Sequence, residues 1–224
     1  MTDLYQALKP AAFYHVFNRG NNRENIFYTA DNPNYFLKKY AQYMLPVLDT
    51  YAYCLLPNHF HLLVRLKTAD ELLTATAAAD LPGFKNLEGL VARRNEVEIC
   101  NFIGNLASDQ FRLLFMSYAK AINKQEKRIG SLFQKNFKRL QVNSITHLTT
   151  VVRYIHANPQ LHGLCPDFRD WTDSSYDALL SDRPSKLGRK DVLVWFGGRD
   201  ELVRSHREYI DWKTAGQWLI EDDD

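Results

Sequence analysis

The sequence lacks the cysteine patterns that mark several common protein classes. Its 224 residues include three cysteines, Cys54, Cys100 and Cys165, and no two of them are spaced as a CxxC pair. A scattered, odd-numbered set of this kind predicts neither a disulfide framework nor a cysteine zinc site. We therefore expect free thiols in a reducing compartment.

Long apolar runs are also missing. The first ten residues, MTDLYQALKP, do not combine a charged segment with an apolar stretch. No later run approaches the roughly 20 apolar residues that span a bilayer. We expect no membrane partner and a cytoplasmic location.

The net charge is small, but the charge is unevenly distributed. Lys and Arg total 28 against 26 Asp and Glu, a net charge of +2 that excludes nucleic-acid binding by bulk charge alone. Between residues 120 and 139, however, the sequence has seven cationic residues and one acidic residue, Glu126, with Phe133 and Phe137 among them. The cations are Lys120, Lys124, Lys127, Arg128, Lys135, Lys138 and Arg139. Such a stretch suits single-stranded DNA, although the charge run alone favours a solvated helix end followed by a strand.

Apolar patterning predicts strands interleaved with helices. The strands are expected at 13–18, 50–56, 59–66 and 131–142, with a hairpin turn at Pro57-Asn58. Helices are expected at 31–45, 109–127 and 145–158. This order predicts an α+β fold with an antiparallel sheet. We expect one domain over 1–165 with a helical insertion at about 68–107, then a turn-rich C-terminal extension over 166–224.

Two histidines lie one residue apart in the segment PNHFHLLV, residues 57–64. Side chains alternate along a strand, so His59 and His61 share one face and Phe60 points to the other. Two neutral imidazoles on one face can hold a metal ion, but two hydrogen-bonded structural histidines give the same pattern. A metal site requires a third ligand.

The helix ITHLTTVVRYIHANPQ, residues 145–160, supplies a candidate third ligand. Its apolar stripe, Ile145, Leu148, Val152 and Ile155, is expected to face the core. A second stripe about 120° away carries His147, Tyr154 and Asn158. Pro159 is expected to end or kink the helix and expose this turn. The spacing alone favours a simpler interpretation, a partly buried tyrosine and an asparagine helix cap.

Four motifs occur in a fixed order: YHVFNRG, PNHFHLLV, GSLFQKNFK and VVRYIHANP. PNHFHLLV resembles the HUH motif, and VVRYIHANP resembles the helix that bears the single catalytic tyrosine of the same enzymes. Together, over residues 13–164, the chain resembles the tyrosine transposases of small insertion sequences, with the closest likeness to REP-associated tyrosine transposases. The resemblance implies a ferredoxin-like antiparallel sheet with helices, the HUH nuclease fold.

The resemblance also implies an activity and a set of site residues. His59 and His61 match the metal-binding pair for Mg²⁺ or Mn²⁺, and Tyr154 matches the nucleophile. Asn158 occupies the position of a third ligand, where insertion-sequence members commonly carry glutamine. The implied reaction is cleavage of single-stranded DNA near a hairpin through a 5′-phosphotyrosine. A zinc metallohydrolase using the histidine pair and a non-catalytic DNA-binding domain of the same fold remain as alternatives.

Five cations are candidates for contact with single-stranded or hairpin DNA: Arg19, Arg23, Lys135, Lys138 and Arg139. Arg19 and Arg23 are equally explained as plain surface arginines. Arg153 or the basic strand could offset the negative end of the helix dipole near Tyr154. We expect His147 to be an exposed helix histidine and the tail segment LVWF to be strand-like. The sequence leaves a monomer and a homodimer equally open.

Overall fold

The computed structural model of the chain describes residues 4–75, 84–93 and 95–208, without the side chains of residues 84 and 85. The strands are β1 Phe13–Arg19, β2 Leu48–Leu56, β3 His59–Leu66 and β4 Lys138–Val142. The helices are α1 Asp31–Tyr43, α2 Ala69–Thr74, α3 Phe84–Ala92, α4 Glu96–Gln125, α5 Ile145–Leu161, α6 Tyr176–Leu180, α7 Arg189–Phe196 and α8 Arg199–Arg207. Within these residues no helix is both long enough and apolar enough to cross a membrane.

The four strands form one antiparallel sheet in the order β2-β3-β1-β4. The two inner strands are β1 and β3, and the last strand joins the free edge of β1, as in a ferredoxin-like arrangement. Phe17 pairs with His61 of β3 on one side and with Lys138 of β4 on the other. The fold class expected from the sequence is confirmed.

Each face of the sheet is covered by helices. On one face, α1 and α4 pack over apolar strand residues that include Tyr14, Val16, Phe60, Leu62 and Val64. On the other face, α5 packs over Ala52, Cys54, Leu63 and Val142. The helices of the C-terminal extension join this second core through Tyr176, Leu179, Val192 and Leu202. Adjacent residues of a strand therefore belong to different cores.

Two elements differ in length from the expectation. The predicted helix at 109–127 is the C-terminal part of α4, which is 30 residues long and begins within the expected insertion. The predicted strand at 131–142 is wrong over its first half, because β4 begins at Lys138. Leu132, Phe133 and Phe137 instead enter the core beneath α4, and Asn136 interrupts the extended backbone with a φ of 62°.

The C-terminal extension is helical where a strand-like start was expected. Val192 to Phe196 lie in α7, which ends at Gly197 in the left-handed conformation with a φ of 82°. Because glycine adopts this conformation without a steric cost, it stops α7 and lets α8 begin at Arg199. The expected mixed-charge helix corresponds to α8, and residues 209–224 of the tail lie outside the described residues.

Candidate active site

Three of the four sequence motifs meet at one end of the sheet. The Gly20 amide donates to the Asn58 carbonyl at 2.8 Å, and the Asn21 amide donates to the Leu132 carbonyl at 2.8 Å. A Cβ at Gly20 would lie 2.0 Å from the Glu24 carbonyl oxygen, so this close turn accepts only glycine. The backbone thus holds YHVFNRG, PNHFHLLV and GSLFQKNFK together.

The two histidines of PNHFHLLV share one face of β3, as the alternation predicts. His59 is 7% exposed and His61 is 5% exposed, and their ring centroids are 5.2 Å apart. A third imidazole, His15 of β1, meets them, with its Nε2 3.0 Å from His61 Nδ1. The sequence analysis missed His15, because only the pairing of β1 with β3 brings it to His61. His15 lies on the same strand face as Phe17, which pairs with His61 in the sheet.

Helix α5 places its predicted site residues over this group. The Tyr154 ring meets His61 and His15 edge-on, at centroid distances of 5.5 and 5.8 Å. Two turns later, His162 meets His59 at 4.8 Å. Asn158 lies one turn from both Tyr154 and His162, is 0% exposed, and donates from Nδ2 to the Tyr154 carbonyl at 3.2 Å. The helix therefore runs along the row of histidines with Asn158 midway.

The expectation that Tyr154 and Asn158 occupy an exposed face is wrong. Tyr154 is 1% exposed, whereas Ile145 of the expected core stripe is 54% exposed. The helix also continues through Pro159 to Leu161, and the Pro159 carbonyl accepts a hydrogen bond from the Leu164 amide. Between Val151 and Pro159 both faces of α5 are buried, because the sheet covers one and the C-terminal extension covers the other. His147, expected to be exposed, is half-buried.

No protein-family model and no curated protein matches the sequence. A solved structure does match: a REP-associated tyrosine transposase bound to a REP hairpin, with a TM-score of 0.53 and 16% identity over 80% of this chain and 86% of that chain. The chain has the fold of a REP-associated tyrosine transposase. The resemblance inferred from the four motifs is thereby confirmed at the level of the fold.

Two buried atoms in this group of side chains have lone pairs suited to a metal ion. His61 Nε2 and Asn158 Oδ1 are buried and have no hydrogen-bond partner. Unpaired buried polar atoms are costly, and in native proteins such atoms commonly bind an ion or a water molecule. Among the described residues, no three His, Cys, Asp or Glu side chains are grouped as a metal site. A metal here would use two imidazoles and the amide oxygen of Asn158, which are chemically suitable donors for a metal ion.

Burial keeps two histidines of the site, His61 and His15, in their neutral form. Burial holds the pKa of His61 well below its usual range, and the neighbouring His15, His59, His162 and Arg19 lower this pKa further. Burial also lowers the pKa of His15 to about 3, with a smaller contribution from His147. Neutral imidazole is the form that binds metals. At neutral pH these two rings therefore remain uncharged, and His61 keeps a lone pair that a metal site needs.

The predicted DNA-binding cations occupy different surroundings. Arg19 lies opposite His59 in the register of β1 and β3 and is half-buried. Arg23 is exposed and has a φ of 60°. Lys135 is exposed in the segment before β4, and Lys138 pairs with Phe17 on the histidine face.

Two further arginines are engaged by the backbone. Arg139 points to the opposite face of β4, where its guanidinium donates to the carbonyls of Tyr5 at 2.8 Å and Gln6 at 2.6 Å and lies over the Phe137 ring. Arg153 was expected to supply positive charge near Tyr154. Its guanidinium instead donates to the Glu208 carbonyl at 2.7 Å, so it holds the C-terminal extension.

Proposed function

We propose that the protein is a metal-dependent endonuclease and strand transferase that acts on single-stranded DNA beside hairpins. The observation that carries the proposal is the buried group of His59, His61 and Asn158 next to Tyr154, in which His61 Nε2 and Asn158 Oδ1 have no partner. The fold it shares with a transposase solved on a REP hairpin supports hairpin DNA as the partner.

His59, His61 and Asn158 would hold Mg²⁺ or Mn²⁺. Imidazole in its metal-binding form and an amide are both uncharged ligands, so this set would leave the charge of a divalent ion uncompensated. A bound ion would polarise the scissile phosphate and orient it for in-line attack. Because the DNA phosphate supplies the missing negative charge, metal and DNA should strengthen each other's binding.

Tyr154 is the proposed nucleophile. Its Oη attacks the phosphorus, the bond from phosphorus to the 3′-oxygen breaks, and a proton ends on that oxygen to give a free 3′-hydroxyl. The 5′-phosphate remains on the tyrosine, and the reverse attack by a 3′-hydroxyl rejoins a strand. A phenol has an ordinary pKa near 10, so it attacks well only where charge at the phosphate is stabilised. Arg19, which shares the histidine face, adds positive charge to that of the ion.

The burial of Tyr154 requires a conformational step. A side chain that is 1% exposed does not meet a DNA phosphate without movement. The candidate moving part is α5, which the C-terminal extension holds through Arg153 and through a hydrogen bond between His156 Nδ1 and His206 Nε2 at 2.8 Å. Many enzymes open to admit the substrate and then close around it, and closure also excludes water.

The test uses single-stranded DNA that contains a hairpin, with Mn²⁺, labelled at either end. With a 3′ label we expect labelled protein on a denaturing gel, because the 3′ fragment stays on Tyr154. With a 5′ label we expect a shorter free strand that ends in a 3′-hydroxyl. A chelator should abolish both products.

Tyr154→Phe should abolish the adduct while metal-free hairpin binding is retained. Tyr35→Phe is the matched control, since it removes one tyrosine hydroxyl on α1, on the far side of the sheet. Wild-type adduct in Tyr154→Phe would place the nucleophile elsewhere. Labelled protein from the 5′-labelled strand would contradict the proposed polarity of cleavage.

A further inference from the structure

His15 is not one of the proposed metal ligands, but it is hydrogen-bonded to one of them, His61. Its Nε2 lies 3.0 Å from His61 Nδ1, and both residues are buried, at 1% and 5% exposure. The ring planes differ by 26° and the centroids are 5.1 Å apart. Since this separation is close to the hydrogen-bond length plus the two ring radii, the rings meet edge to edge, in line for an N–H···N hydrogen bond.

One ring must donate this hydrogen bond and the other must accept it. Each arrangement places one buried N–H without a partner, on His15 Nδ1 or on His61 Nε2, because neither atom has a hydrogen-bond partner. The hydrogen bond alone therefore does not select the donor. A metal on His61 Nε2 does select it, because that nitrogen must then be unprotonated and the proton must be on Nδ1.

His59 shows the same arrangement with a different acceptor. Its Nδ1 is 2.6 Å from Asn58 Oδ1, which as an amide oxygen can only accept. The Asn58 amide is oriented from its other side, where Nδ2 donates to the Arg23 carbonyl at 3.4 Å. Neutral His59 therefore carries its proton on Nδ1, and this tautomer has its lone pair on Nε2. Both histidines of the pair thus have a hydrogen-bond partner at Nδ1, and for His59 that partner can only accept.

We propose that His15 is a positioning residue for the metal site: its Nε2 accepts the hydrogen bond from His61 Nδ1–H and thereby fixes the tautomer and ring orientation that turn His61 Nε2 toward the ion. This inference rests on the proposed function, because it needs His61 to be a metal ligand. Acceptors on the second nitrogen of a ligating histidine orient the ring and raise its basicity, and their loss typically weakens metal binding about 10–100-fold.

The test measures Mn²⁺ binding to the full chain without DNA, from the electron paramagnetic resonance signal of free Mn²⁺. His15→Phe keeps a ring of similar shape and removes the acceptor, so its dissociation constant should rise about 10–100-fold. His15→Leu provides a second variant without an acceptor should the phenylalanine not fold. His15→Gln reaches equally far with an amide oxygen and should restore most of the affinity. Tyr14→Phe, one residue away on the opposite face, should leave Mn²⁺ binding unchanged.

The outcomes separate this inference from the proposal on which it rests. Metal-free hairpin binding should be the same in wild type, His15→Phe and His15→Gln. Wild-type Mn²⁺ affinity in His15→Phe overturns the role of His15 alone, as does a His15→Gln variant that binds as weakly as His15→Phe. Wild-type affinity in His61→Ala, or no Mn²⁺ binding by the wild-type chain, overturns the proposed metal site and the role of His15 with it.

Discussion

The two faces of the sheet are built from alternating residues of the same strands, yet they differ in kind. On the face toward α1 and α4, Phe60 is buried among aromatic rings. Tyr14 is buried in the same core, and its hydroxyl accepts a hydrogen bond from the Lys9 amide at 2.9 Å. On the face toward α5, the next residues, His61 and His15, are equally buried but carry nitrogens without partners. The first face is packed as an apolar core, whereas the second combines an apolar core with the histidines that we propose as metal ligands.

Substitutions of the adjacent β3 residues Phe60 and His61 should show the largest difference in their effect on adduct formation. His61→Ala should reduce adduct formation by at least about 100-fold, because it removes a ligand rather than a residue that supports one. Phe60→Leu should keep the adduct and lower the free energy of unfolding by about 1–2 kcal/mol, because its ring packs at 5.3 Å from Phe36. Adduct rates and denaturant midpoints of both variants test the pair, and equal adduct rates would contradict the division between the faces.

On the side of α5 away from the sheet, His156 is hydrogen-bonded to His206 of α8. Here the free energy of unfolding should depend on pH. Burial lowers the pKa of His206 to about 4, with a further lowering from Arg153. An unfolded histidine titrates near 6.5, so between about pH 6.5 and 4 the unfolded chain binds the extra proton. His206 should therefore reduce stability as the pH falls through this window, by at most about 1.4 kcal/mol per pH unit. Denaturation of wild type and His206→Phe across the window should show a shallower slope in the variant, and identical slopes would exclude this residue.

Substitutions of Lys138 and Arg139 in β4 should show the smallest difference, which is in the salt dependence of hairpin binding. Lys138 shares the histidine face, so Lys138→Ala should weaken hairpin binding and reduce the log-log salt slope by about 0.7–0.9. Arg139→Ala should keep the slope and destabilise the fold by about 1–2 kcal/mol, because two backbone carbonyls lose their charged donor. Hairpin titrations over a salt series distinguish the two, and a reduced slope only in Arg139→Ala would reverse the assignment of the faces.

Local sequence patterns correctly predicted the elements that depend only on strand alternation and turn residues. The hairpin at Pro57-Asn58, the shared face of His59 and His61 and the sheet class all follow from alternation and turn chemistry. The contact of His15 with His61 could not be predicted, because it depends on the register between β1 and β3, which are separated by α1 and β2.

The errors have physical causes in tertiary packing. The apolar run at 192–196 contains valine, tryptophan and phenylalanine, which favour strands, but the two glycines that follow it are typical of a helix end. Pro159 was expected to end α5, yet it lies in the last turn before Leu161, where packing on both sides outweighs one missing backbone hydrogen bond. The same packing explains the burial of Tyr154, which a single apolar stripe does not predict.

The double-sided burial of α5 also limits how this helix can change in evolution. In the segment VVRYIHANP, residues 151–159, seven of nine side chains are buried, and only Arg153 and Ala157 are half-buried. Tyr154 and Asn158 face the histidines, while His156 faces away and bonds both His206 and the Ser175 hydroxyl, each at 2.8 Å. A substitution that suits one face disturbs the other within the same turn. We therefore expect this segment to drift more slowly than a surface helix, so that it identifies distant relatives after the rest of the sequence has diverged.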